Sequence, residues 1–285
     1  MRINKFLAMS QIGSRRKVEE FILNGDIKIN NEICTDLSRQ IDPDRDIVQY
    51  KNKRVKPDVQ KTLIVMNKPK NYIVTKSDEF DRKTIYDLLP DFAKSLNPVG
   101  RLDYASEGLL ILTNDGDLAN KIIHPQFKLP KTYVVSVDAM LNEEELNQLR
   151  NGIMLDDRPT LPAKVYMKKV ADKNCEIKMT IFEGRNRQIR RMIEALGHQV
   201  TKLKRIQIGE IHLENLPVGM WRSLTPEEVL YLVKHTQHAK RENHQLKTQH
   251  AVTESNLVHH PKQTQPKQKT FKPTKMNNKS VRTQK

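Results

Sequence analysis

"GRLDYASEGLLILTNDGD" (residues 100–117) sets one carboxylate, Asp103, behind Gly-Arg-Leu and just ahead of the apolar run Leu109 to Leu112. That run reads as a buried strand. Asp115-Gly116 then reads as a turn feeding a short helix that stops before Pro125. Asp103 therefore stands at the mouth of a core strand. A carboxylate there caps a turn, pairs with Arg101, or does chemistry, and the stretch alone leaves these open. No EF-hand, HExxH or P-loop pattern accompanies it, and Asp115, Asp117, Asp156 and Asp157 lie near turns rather than at metal-ligand spacing.

The sequence around this strand predicts a larger domain over residues 61–237. Leu63 to Met66 reads as a strand leading into the loop "NKPKNY", and Tyr133 to Val137 as another. Cys175, Ile177, Met179 and Ile181 alternate with Glu176, Lys178 and Thr180, the period of a half-buried antiparallel strand. Strands with intervening helices make an α+β domain on a mixed or antiparallel sheet. Thr225 and Glu228 form a capping box around Pro226, with Leu224 placed to staple to Val229, so a closing helix runs to about Thr236. In "EGRNRQIRRMIEALGH" (183–198), Ile189, Met192, Ile193 and Leu196 recur at i, i+3, i+4 and i+7. This is an amphipathic helix, with Asn186 as the expected cap and Gly197 as its stop. At roughly 100° per residue, Arg187 and Arg191 point away from the apolar stripe and Arg190 sits at its edge. Arg190 is the cation best placed to reach inward and hold a semi-buried carboxylate by bidentate hydrogen bonds.

The first 60 residues form a smaller unit. Ile3, Phe6 and Leu7 mark one helix face; Ser14 is the expected N-cap of a second helix carrying Val18, Phe21 and Ile22, closed by Asn24-Gly25. Ile27 and Ile29 begin a hairpin that turns at Asn30-Asn31 and returns at Ile33. Arg15, Arg16 and Lys17 occupy the first turn of the second helix, where the macrodipole already places positive charge. An RNA phosphate favours that arrangement, because free backbone amides and three cations converge on it.

Charge points the same way. The 285 residues carry 50 Lys and Arg against 34 Asp and Glu, a net charge of +16, with a pI near 9.7. Such a surplus collects polyanions. Residues 238–285 hold eleven Lys or Arg and two Glu without apolar periodicity, so the expectation is a disordered basic tail that acts as an RNA-binding arm. No apolar segment approaches the roughly 20 residues of a membrane span, and the N-terminus reads as a soluble helix, so a cytoplasmic protein is expected. Cys34 and Cys175 lie far apart without a CxxC and read as free thiols.

The stretch "INKFLAMSQIGSRRKVEEFILNGDIKINNE" (3–32) resembles the S4 RNA-binding domain. The blocks "GRLDYASEGLLILTNDGDLA", "KTYVV", "EGRNRQIRRM" and "IGEIHLENLPVGMWRSLT" are similar, in that order, to the successive motifs of pseudouridine synthases of the RsuA/RluB type. The resemblance implies an α+β protein: a small N-terminal S4-like RNA-binding domain (1–60), a catalytic domain on a mixed, mainly antiparallel sheet flanked by helices (61–237), and the basic tail (238–285). It implies conversion of uridine to pseudouridine with no cofactor and no metal. Asp103 in "GRLD" matches the family's catalytic aspartate, Tyr133 in "KTY" its active-site tyrosine, and Arg190 in "RQIR" the basic residue that pairs with the aspartate. RNA contacts are expected from Arg15, Arg16, Lys17, Arg101, Arg185, Arg187 and Arg191. "HPQFK" (124–128) and the tail look most similar to members acting on large-subunit (23S) rRNA, with small-subunit rRNA or tRNA as alternatives. The expected partner is rRNA, free or in an assembling ribosomal particle, and the expected state is a monomer without membrane or small-molecule cofactor. Two competing readings are a catalytically silent RNA-binding assembly factor, which has no need of a charged acid facing RNA, and a metal-dependent nuclease, which needs a carboxylate cluster.

Overall fold

In the computed structural model, α1 (Ile3–Met9) and α2 (Arg15–Leu23) bury Ile3, Phe6, Leu7, Val18 and Ile22 against each other and a small sheet. The structure describes residues 1–57, 60–171 and 174–236, so the expected basic tail, 238–285, lies outside the described residues. Ser14 Oγ accepts from the Lys17 amide at 3.2 Å, the N-cap bond its position predicts. Gly25, at φ +74°, turns the chain out of α2. The small sheet is antiparallel in the order β2-β1-β3-β4, from β1 (Ile27–Ile29), β2 (Glu32–Ile33), β3 (Val48–Tyr50) and β4 (Lys53–Arg54). Asn30 and Asn31 take the positive φ its first turn requires.

The larger sheet begins with β5 (Leu63–Lys68). There follow α3 (Asp91–Lys94), β6 (Asn97–Pro98), β7 (Glu107–Thr113), α4 (Gly116–Ile123), β8 (Lys131–Val137) and α5 (Glu143–Asn151). A short hairpin, β9 (Met154–Leu155) and β10 (Arg158–Pro159), precedes the long pair β11 (Lys164–Ala171) and β12 (Asn174–Ile181). Then come α6 (Gln188–Glu194), β13 (Val200–Ile208), β14 (Ile211–His212), β15 (Trp221–Ser223) and α7 over residues 226–236. The main path is β11-β12-β8-β13-β7-β5-β15, antiparallel except where β13 runs parallel to β7. That one pair makes the sheet mixed. No helix among the described residues is long and apolar enough to cross a membrane.

Strand β7 is buried on both faces. Leu109 and Ile111 pack with Val65 under α4 and α7, and Leu110 and Leu112 pack with Ile64, Met66 and Ile85 on the other side. A third cluster joins β8, β11, β12 and β13 to α5 and α6 through residues such as Val135, Ile177, Met179 and Met192.

Two local expectations change. The stretch "NKPKNY" does not start as a loop, because Asn67 and Lys68 continue β5 and are both buried. Asn186 does not cap α6. The residue before the helix is Arg187, at φ +47°, and the turn is closed by Gln188, whose Oε1 accepts from the Arg185 amide (3.0 Å) while its Nε2 donates to Glu183 (2.9 Å). The capping box at Thr225 and Glu228 forms as its spacing predicts, with bonds of 2.8 and 3.3 Å.

Gly108 is where β13 meets β7. Its φ is +109°, and a Cβ built on it falls 2.2 Å from the Arg205 carbonyl oxygen. Backbone is at fault on both counts, so neither strand can give way cheaply. Gly108→Ala is expected to destabilise the fold by about 2–4 kcal/mol, read as a lower urea midpoint at unchanged slope. An unchanged midpoint contradicts the close approach.

Candidate active site

The loop that carries Asp103 is held from below by a buried lysine. Lys68, fully buried at the end of β5, donates through Nζ to the carbonyls of Pro69 (2.9 Å), Asp103 (3.2 Å) and Ser106 (2.8 Å). Burial pushes its amine from the ordinary 10.5 down to about 8, against the pull of the Asp103 and Glu107 carboxylates. A charged ammonium offers three donors to three carbonyls; a neutral amine offers two. Turnover is therefore expected to fall as pH rises through about 8, when Lys68 releases its proton and one carbonyl of the loop loses its donor. Lys68→Met should lower the plateau and remove that alkaline limb; persistence of the limb in the variant assigns it to another group.

Arg190 holds the same loop from the side. Its guanidinium, buried on α6, donates from Nη1 to Val200 O (3.0 Å) and from Nη2 to Ala105 O (3.1 Å) and Ser106 Oγ (3.5 Å). The expected bidentate bond to Asp103 is not what forms, because the carbonyls on either side of the guanidinium take its donors first. Nε is left buried without a partner among the described residues. Asp103 acts on Arg190 through space: burial and Arg187 push the guanidinium down, and Asp103 and Glu194 pull it up. An arginine stays charged under all of these influences.

The Asp103 side chain itself is half-buried and makes no hydrogen bond or ion pair among the described residues. It lines a cleft of about 670 Å³ between residues 73–82 and the turn 184–187. The site thus presents the Asp103 carboxylate, unpartnered among the described residues, over a loop whose backbone is gripped by two cations.

Tyr133, on β8, is buried and packs with Leu102 in the core rather than on the cleft wall. Arg205 stands opposite it on β13, donating from Nη1 to its hydroxyl at 3.4 Å and from Nε to Leu109 O at 2.7 Å. The guanidinium carbon lies 6.0 Å from the ring centroid.

The arginines expected on RNA divide. Arg101 is exposed on the cleft, as is Arg187, which has Glu194 3.8 Å away. Arg185 is occupied: its guanidinium donates to the carbonyls of Leu155 (3.3 Å), Arg158 (3.0 Å) and Pro159 and to Glu183 (3.2 Å), stapling the β9–β10 hairpin. Arg191 is ion-paired in bidentate fashion with Asp156 at 2.5 and 2.8 Å. Both arrangements share one cause, an acceptor-rich hairpin that packs beside α6 and that helical spacing does not reveal. At the other end of the chain Arg15 and Arg16 are exposed, whereas Lys17 pairs with Glu20 at 2.5 Å.

Three residues the sequence reading passed over belong to this site. Lys68 was hidden because a lysine ending an apolar run looks like the start of a loop. Arg205 carried a signal, since Leu203 and Arg205 share one face of β13 and the first is buried. Phe80 is 76% exposed on the cleft rim, with the Arg82 guanidinium 5.0 Å from its ring and Asp78 bracing that arginine at 2.6 and 3.0 Å. An exposed aromatic beside a cation is a surface on which an unstacked base can lie.

Comparison with known proteins agrees with this reading of two RNA-facing parts. Residues 62–195 match the family model described as RNA pseudouridylate synthase, and residues 1–47 match that of the S4 domain. The chain is 43% identical to an uncharacterized RNA pseudouridine synthase of Aquifex aeolicus (strain VF5), over 82% of this chain and 94% of that protein. It is 38% identical to the ribosomal large subunit pseudouridine synthase B of Bacillus subtilis (strain 168), over 84% of this chain and 98% of that protein. A crystal structure of a pseudouridylate synthase superposes with a TM-score of 0.59 at 32% identity, covering 81% of this chain and 99% of that one. Similarity of this extent, running through both the S4 segment and the segment that carries Asp103, makes the chain a member of the RNA pseudouridine synthase family, an isomerase with an N-terminal S4 domain.

Proposed function

We propose that the enzyme isomerises a uridine of large-subunit ribosomal RNA and that Asp103 is the carboxylate that reacts. The observation that carries the assignment is the unpartnered Asp103 side chain on the cleft wall, above a loop held by Lys68 and Arg190. In the reaction the N1–C1′ bond breaks, the uracil turns, and C5 bonds to C1′. C5 gives up a proton and N1 gains one, so the nucleoside keeps its composition and no oxidant or energy source is consumed. Asp103 serves either by attacking C1′ or by removing a ribose proton to give a glycal; both routes need an ionised carboxylate free of other partners. The target base has to leave its stack to reach the cleft. In this reading Arg101 and Arg187, both exposed on the cleft, contact the phosphates on either side, and Tyr133 supports the flipped base.

Large-subunit rRNA is favoured by the Bacillus subtilis relative, whose name gives it that substrate, and by the similarity of "HPQFK" and the basic tail. The test is tritium release from C5-labelled uridine. Purified enzyme should release about one equivalent from a large-subunit rRNA transcript and none from small-subunit rRNA or tRNA transcripts. Release from either of the latter, with none from the first, refutes the substrate assignment.

A further inference from the structure

Among the described residues, the sheet face opposite α5 and α6 is exposed along β11 and at Lys178 of β12 and half-buried over most of β8 and β13. Register assigns its residues. Tyr166 stands opposite Lys178, Lys178 opposite Val134, and Val134 opposite Lys204. The row to one side runs Lys164, Thr180, Thr132, Gln207, and the row to the other holds Glu176, Ser136 and Lys202. Directly paired residues project to one side of a sheet. Lys164, Lys178, Lys202 and Lys204 therefore share a surface with Tyr166, while Val165, Ile177, Met179, Val135 and Leu203 are buried on the other side beneath α5 and α6. Tyr166 is 61% exposed, and of the four lysines only Lys204 is half-buried.

The carboxylates on these rows are already taken. Glu176 pairs with Lys168 at 2.7 Å and Glu107 with Lys202 at 3.3 Å. Lys164, Lys178 and Lys204 have no ion-pair partner among the described residues. A lysine on an edge strand keeps it from pairing with another chain, which accounts for Lys164 on β11. It does not account for Lys178 and Lys204, which sit on interior strands two spacings apart, about 10 Å. Unpaired like charges on one face repel at low salt and form an attractive surface for a polyanion.

We propose that this lysine face is a second RNA-binding surface, holding a segment of the substrate RNA distant from the target uridine. The lysines contact phosphates and Tyr166 stacks on an unpaired base. The face is turned away from α6, whose N-terminal turn lines the Asp103 cleft, so the segment it holds is not the one undergoing reaction. The identity of the RNA rests on the ribosomal reading given above.

The experiment compares wild type with Lys164→Gln/Lys178→Gln/Lys204→Gln and with a charge-matched control at exposed lysines elsewhere, Lys61→Gln/Lys94→Gln/Lys234→Gln. Binding to a full-length large-subunit rRNA transcript is measured against KCl concentration. The face variant should lower the slope of log Kd against log[KCl] by about 2 and raise Kd about tenfold or more at roughly 0.15 M KCl. The control should change both far less, and Tyr166→Ala should weaken binding without altering the slope. Turnover of a short stem-loop carrying the target uridine should match wild type in the face variant. Equal slopes in the two triple variants overturn the proposal. A wild-type enzyme inactive on rRNA overturns the substrate reading instead, and the slope comparison on the same transcript still decides whether the face binds RNA.

Discussion

Asp103→Asn is expected to reduce pseudouridine formation by about 10,000-fold or more while leaving RNA affinity within about twofold. The amide is nearly isosteric and has no hydrogen bond or ion pair to lose, because the native carboxylate makes none among the described residues. The change withdraws a favourable charge from Lys68 and Arg190, but both keep the carbonyls they grip. The fold should therefore survive. Single-turnover rates and filter-binding affinities of the purified variant separate the two effects; wild-type turnover by Asp103→Asn would refute the role outright.

Arg190→Met should lower turnover at saturating RNA by about 100- to 1000-fold with little change in apparent affinity. Two losses combine. The carbonyls of Ala105 and Val200 are left short of a donor in a buried setting, at about 1–3 kcal/mol each, and the positive charge beside Asp103 disappears. Arg190→Lys discriminates between them. It keeps the charge, but a single ammonium cannot span two carbonyls that a fork-shaped guanidinium reaches at once. If the charge dominates, lysine restores most of the rate. If the grip on the loop dominates, lysine restores little and both variants lose thermal stability alike. A rate equal to wild type in Arg190→Met removes Arg190 from the account.

The parts of this protein that were legible in its sequence are those governed by local pattern. Leu109 to Leu112 announce a buried strand because no polar residue interrupts them, and Asp103 falls at its mouth. The stripe Ile189, Met192, Ile193 and Leu196 turned Arg190 inward, which the structure bears out in its burial. Ser14, Asn30-Asn31 and the Thr225–Glu228 box each state their local geometry through one side chain. What the pattern did not convey is which partner a reaching side chain finds. Arg190 meets backbone carbonyls from β13 and from residue 105, and Arg185 meets three carbonyls of a hairpin some thirty residues earlier. Those acceptors carry no residue-type signature. Lys68 was missed for a related reason: burial of a lysine is decided by three carbonyls that converge only in the fold, and composition argues against it.

The central claim is that one carboxylate in this cleft modifies ribosomal RNA. Its most direct test is carbodiimide mapping of pseudouridine in total rRNA from cells lacking the gene and from the same cells expressing wild type or Asp103→Asn. The account predicts that one large-subunit signal vanishes on deletion, returns with wild type and stays absent with Asp103→Asn. Return of that signal with Asp103→Asn, or an rRNA pattern unaltered by deletion, contradicts it.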